Sequence, residues 1–120
     1  MDKKVNVEIT GEGSIATVAF KAASITDMEG ISIASVQIKE FIEKNHPNKL
    51  IFDFERVKFF SSQLLGLLLD IRTKLQAYNG EVVVSAINPQ LHRIFKITGL
   101  DKVFSFFPDK ESAIREISTD

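Results

Sequence analysis

Two adjacent serines, Ser61 and Ser62, are the residues whose type and position best suit chemistry in this chain. They stand between an apolar run (Leu50, Ile51, Phe52 and Phe54, broken only by Asp53) and a helical pattern in which Leu64, Leu68, Ile71 and Leu75 share one face. A serine between a strand and a helix lies where an N-cap belongs, with its oxygen available to the orphan N–H groups of the first turn. Such a serine can act as a cap, an anion ligand or a phosphate acceptor, and spacing alone leaves all three open.

Other groups are less well placed. His46 precedes a turn proline and His92 sits on a helix flank, without the spacing a metal site needs. Asp27, Asp53, Glu55 and Asp70 are scattered along the chain. Asp53 interrupts an apolar strand, so it is either buried and hydrogen-bonded or turned to the end of a sheet. With no partner acid or base, a structural role for it is the stronger reading. There is no G-x-S-x-G around the serines, no GxGxxG after the first strand and no Walker A loop. These features predict a protein that is not an enzyme and that carries no metal or cofactor.

Bulk properties narrow the class further. The chain has 120 residues, of which 44% are hydrophobic and 26% charged, the balance of one globular domain over residues 1–120. With 15 basic and 16 acidic residues, the net charge of -1 gives no footprint for nucleic acid. Cysteine is absent, so disulfides and thiolate chemistry are excluded, and a reducing compartment fits. The start, MDKKVNVEIT, alternates and has no apolar signal region, and no apolar run is long enough to span a membrane. A cytoplasmic location is the expectation.

The elements that must position the serines follow in order. Val5, Val7 and Ile9 alternate as a strand, Gly11-Glu12-Gly13 reads as a turn, and Ile15 to Phe20 is a second strand that closes a hairpin. A helix follows with Ile31, Ala34, Ile38, Phe41 and Ile42 on one face, capped by Ser32 or Asp27 and ended by Pro47. After the central strand and helix, Asn79-Gly80 is a stop, with Gly80 suited to the left-handed position. Val82 to Val84 is a buried strand. Asn88-Pro89 opens a helix with Leu91, Ile94, Phe95 and Thr98 inward, and Gly99 closes it. Val103 to Phe107 is a short strand. Pro108-Asp109 opens a last helix bearing Ala113, Ile114 and Ile117, and residues 118–120 are tail. The order β-β-α-β-α-β-α-β-α predicts an α/β fold: a mixed, mostly parallel sheet with an N-terminal hairpin and about four helices.

Several fragments in this order resemble the STAS domain family. Asp53-Phe54-Glu55-Arg56-Val57-Lys58-Phe59-Phe60-Ser61-Ser62 is similar to its D-L-S-x-V-x-F-h-D-S segment, and Asn79-Gly80-Glu81-Val82-Val83-Val84 to its G-G-x-h-x-h. Asn88-Pro89-Gln90-Leu91 and Thr98-Gly99-Leu100-Asp101-Lys102-Val103-Phe104 resemble its N-P-x-h helix and T-G-L-x-x-h-F ending. The resemblance covers essentially the whole chain. It implies a single STAS-like domain of the anti-sigma factor antagonist type. Its partner would be an anti-sigma factor that is also a serine kinase, which phosphorylates a hydroxyl at the start of the central helix and thereby ends binding.

Counted without gaps from Asn79-Gly80, the family core D-S-S/T-G-L-G falls on Ser61-Ser62-Gln63-Leu64-Leu65-Gly66. Gln63 then occupies the usual acceptor position, as in a subgroup with S-S-x-x-L-G, and Ser62 and Ser61 are the phosphorylation candidates. Asp27, in the loop before the first helix, is placed to replace the family's acidic residue there. The implied partner surface is Asp27, Phe60, Ser61, Ser62, Gln63, Leu65, Gly66 and Leu69. Leu65 and Leu69 either form an exposed apolar strip beside the serines or widen the core contact. Of Phe59 and Phe60, one is expected to point into the core and the other to be a contact near the helix mouth; a staple from Phe60 onto Leu65 is a third option. The alternative to a switched binder is a constitutive scaffold or self-associating module, with a homodimer among its partners.

Overall fold

The computed structural model describes residues 7–117, so Val5 and the tail at 118–120 lie outside the described residues. Strands β1 (Val7–Glu12) and β2 (Ile15–Phe20) pair antiparallel, then β3 (Ser24–Ile25) leads into α1 (Met28–Asn45). Strand β4 (Lys49–Asp53), β5 (Phe59–Phe60) and α2 (Ser62–Gln76) follow. Strand β6 (Glu81–Ser85), α3 (Pro89–Ile97), a 3₁₀ turn (Leu100–Lys102), β7 (Ser105–Phe107) and α4 (Lys110–Ile117) complete the chain. The main sheet has the order β1-β2-β4-β6-β7, and all pairs after the hairpin are parallel.

Alternation along the strands divides the molecule into two layers of core. Leu50, Phe52, Val82 and Val84 face one side with Ala16, Val18 and Phe20, and α1, α2 and α3 cover them. Ile51 and Val83 face the other side, where α4 packs through Ala113 and Ile117. Both faces of the central strands are therefore buried, which is why Leu50–Phe52 and Val82–Val84 read as continuous apolar runs.

Local chemistry sets most element ends. Asp27 caps α1 by accepting the Gly30 N–H at 2.8 Å, so the helix begins at Met28, three residues before the apolar periodicity. Asn88 caps α3 through the Leu91 N–H at 2.9 Å, with Pro89 at the first helical position. The hairpin is tighter than the expected Gly11-Glu12-Gly13 turn. Strand β1 runs through Glu12, which pairs with Ile15, and Gly13 (φ 64°) supplies the reversal.

At the end of α2 the roles of Asn79 and Gly80 differ from expectation. Asn79 takes the left-handed conformation (φ 67°), a role asparagine tolerates, and Gly80 does not. Gly80 is needed for space instead: a Cβ there would sit 3.0 Å from Leu75 Cβ, and its N–H donates to the Leu75 carbonyl at 2.7 Å. The last strand begins at Ser105 rather than Val103, because Leu100–Lys102 wind into the 3₁₀ turn.

Candidate functional site

The site grows from a feature too short for periodicity to reveal. Strands β3 and β5 form a two-residue parallel pair outside the main sheet, with Ser24 opposite Phe59 and Ile25 opposite Phe60. The Lys58 and Phe59 N–H groups donate to the Ala23 carbonyl at 2.7 and 3.0 Å, and the Ser61 N–H donates to the Ile25 carbonyl at 3.0 Å. This pair ties the loop before α1 to the segment before α2, so the N-terminal ends of both helices come side by side.

The pairing decides which phenylalanine is exposed. Ile25 is fully buried, and Phe60 opposite it turns inward, edge-on to Phe54 and Phe95 at centroid distances of 5.9 and 6.1 Å. Phe59 points out and is 63% exposed. The aromatic on offer to a partner is therefore Phe59, and Phe60 belongs to the core edge.

Ser61 and Ser62 differ sharply. Ser61 has the extended N-cap backbone (φ -87°, ψ 163°), and its carbonyl accepts the Leu64 N–H at 3.0 Å. Its side chain makes no cap bond, and its Oγ is buried without a partner. The expected capping by the Ser61 oxygen is thus absent. Ser62 is the first helical residue and is exposed. No acidic residue occupies the first turn of α2, so the positive end of its dipole is left unneutralised by its own helix.

Gln63 bridges the two helices. Its Nε2 donates to the Met28 carbonyl at 3.3 Å, while its Oε1 is buried without a partner. Asp27 is close to this junction in sequence but is occupied as the cap of α1. Gly66 lies on the exposed face, with nothing near the position a Cβ would take. Leu65 is 9% exposed, and Leu69 is half-buried against the core. The exposed leucine strip is therefore not formed; these side chains widen the core contact, because α2 is flanked by α1 on one side and packed on the sheet below.

Between α1 and α2 runs a groove of about 470 Å³, lined by Ser32, Ser35, Gln63, Gly66 and Asp70 over Ile31 and Leu67. Below it, ion pairs Lys39–Asp70 and Lys74–Glu43 clasp the two helices. Lys74 holds the Glu43 carboxyl below its usual range. Met28, 71% exposed, stands at the groove's upper end. Sequence reasoning passed over Met28 and left open which of Phe59 and Phe60 faces outward. The alternation of Ser24 and Ile25 was a signal for Phe59, but only once β3 and β5 are known to pair.

The remaining titratable candidates lie apart. Asp53 is 8% exposed at the end of β4, and its Oδ1 accepts the Glu55 N–H at 3.1 Å. Burial raises its carboxyl above the ordinary range, partly offset by that hydrogen bond. His46 closes α1 in a left-handed conformation, edge-on to Tyr78, and His92 lies against Phe106. No helix among the described residues is long and apolar enough to cross a membrane.

The family model of the STAS domain matches residues 8–113. The anti-sigma F factor antagonist of Paenibacillus polymyxa is 21% identical over 113 residues, covering 94% of this chain and 97% of that protein. Among solved structures, the anti-sigma factor antagonist SpoIIAA in its unphosphorylated form superposes with a TM-score of 0.85 at 19% identity, covering 96% of this chain and 98% of that one. An anti-sigma factor antagonist from Mycobacterium paratuberculosis gives a TM-score of 0.82 at 24% identity, over 96% of this chain and 95% of the other. These structural likenesses are likenesses of fold.

Proposed function

This chain belongs to the STAS domain family, and we propose that it is a cytoplasmic, non-enzymatic binding module that docks an anti-sigma factor with serine-kinase activity, with Ser62 as the phosphate-accepting hydroxyl. The observation that carries the proposal is the exposed Ser62 at the uncapped N-terminus of α2, beside the groove shared with α1. Contact would centre on Met28, Phe59, Ser62, Gln63 and Gly66, with Asp27 holding the first turn of α1 in place. Ser61 supports this surface from beneath, since its oxygen is buried.

The physics of a switch suits this position. A phosphate adds about -1.5 to -2 charges at neutral pH. At a helix N-terminus, free N–H groups and the dipole accommodate that charge within the domain. A partner covering the same end would have to desolvate it, so the fold survives and the interface does not.

The test is to immobilise the protein, present a candidate anti-sigma kinase, and compare wild type with Ser62→Asp and Ser61→Asp. Ser62→Asp is expected to weaken binding by at least about tenfold with the fold retained, since the interface would have to desolvate an unpaired carboxylate. Unchanged binding in Ser62→Asp would remove the switch and leave the binding module. Failure of every candidate kinase to bind would remove the module itself.

Gln63 favours a second reading, a constitutive scaffold or self-associating module. An amide stands at the family's acceptor position and is engaged with the Met28 carbonyl. A phosphate mass shift on Ser62 after incubation with kinase and ATP would count against it.

A further inference from the structure

On the face of the sheet opposite α1, α2 and α3, helix α4 packs over Ile51 and Val83 at the centre and reaches Ile15 on β2. There a cavity of about 350 Å³ lies between the hairpin, the end of β4 and the start of α4. Its volume is at the lower end of the roughly 300–1,000 Å³ common for small-molecule sites.

Two polar side chains more than nine-tenths buried line this cavity. Thr17 is 6% exposed, and its hydroxyl finds no hydrogen-bond partner among the described residues. Asp53 is 8% exposed; Oδ1 is used by the Glu55 N–H, and Oδ2 has no partner among the described residues. A buried polar group is normally satisfied, so acceptors left open towards a cavity ask for a donor.

The charge around them selects the donor's class. The walls carry the carboxylates of Glu8, Asp53, Glu55, Asp109 and Glu111 against the ammonium groups of Lys21 and Lys110. Lys21 is engaged by Glu8 at 3.3 Å on the rim. The remaining excess is negative, which disfavours an anion. Among the described residues no group of three or more His, Cys, Asp or Glu is arranged to hold a metal ion. We propose that this cavity binds a small organic cation bearing N–H donors, a primary ammonium or guanidinium compound, with Asp53 as its counter-ion and Thr17 as an acceptor. The site lies on the opposite face from the groove proposed for the protein partner and is independent of that reading. Lys110 is the internal cation the ligand would compete with.

The experiment titrates the ¹⁵N-labelled protein with agmatine and with putrescine at low salt, using disodium succinate, which has no amine, as the anionic comparison. Saturable amide shifts at Thr17, Asp53, Ala86 and Lys110 are expected with the cations and not with succinate. Asp53→Asn, which keeps the oxygen that accepts from Glu55, should weaken binding by at least about tenfold. Lys110→Gln should tighten it. The proposal is overturned if millimolar cation produces no saturable shifts, if folded Asp53→Asn binds like wild type, or if Lys110→Gln weakens binding.

Discussion

Ser61 and Asp27 show how one residue-level rule gives two outcomes. Both occupy N-cap positions, yet only Asp27 makes the bond, to the Gly30 N–H. Replacing Asp27 by Ala should cost about 1 kcal/mol, the ordinary value of a lost side-chain cap. Replacing Ser61 by Ala should cost less than about 0.5 kcal/mol, because it removes a buried hydroxyl that bonds to nothing. Urea denaturation measures both. A larger loss for Ser61→Ala than for Asp27→Ala would mean that the Ser61 oxygen is bonded after all. The two adjacent serines were indistinguishable in sequence, since both satisfy the pattern of a polar residue before an apolar helix. Only the strand pairing that draws the Ser61 N–H to Ile25 turns one oxygen inward and leaves the next residue outside.

At the scale of elements, apolar patterning identified all four helices and the five strands of the main sheet, through 3.6-residue spacing in the helices, alternation in the hairpin and continuous apolar runs in β4 and β6, whose two faces are both covered. The β3–β5 pair did not register. Two residues carry no period, and their stability comes from contacts between segments far apart in the chain. The Asn79-Gly80 stop was legible as a stop but not in its mechanism. Gly80 is retained for close approach to Leu75, so Gly80→Ala should destabilise by about 1–3 kcal/mol through overpacking against a side chain at the helix end. A thermal melt of that variant checks this; an unchanged or raised midpoint would show that Leu75 yields without strain.

At the scale of the whole molecule, pH dependence reports on the buried end of β4. Burial raises the Asp53 carboxyl above its unfolded value, so the folded state holds this proton more tightly. Stability from this group therefore falls as pH rises from about 3.9 through the raised folded value, and the penalty is complete above it. Asp53→Asn does not titrate and keeps the acceptor for Glu55. Its stability relative to wild type should rise between about pH 3 and about pH 7, as read from urea midpoints at each pH. A constant difference across that range would mean that Asp53 ionises as freely in the folded chain as in the unfolded one.

The sequence by itself determined the class of fold, the order of its main elements, the α3 cap and the stretch around the central helix where partner recognition is proposed, and it narrowed the α1 cap to Ser32 or Asp27. These depend on local spacing and on residue chemistry within a few positions, which the chain carries wherever it goes. Only the tertiary structure decided that Ser61 is buried and Ser62 exposed, that Phe59 rather than Phe60 faces outward, and that Leu65 belongs to the core. It also decided that a cavity lined by Thr17 and Asp53 lies between the hairpin, the end of β4 and the start of α4. Each of these follows from which segments meet across the fold, and the direction of a side chain at a short strand or a helix end depends on that meeting.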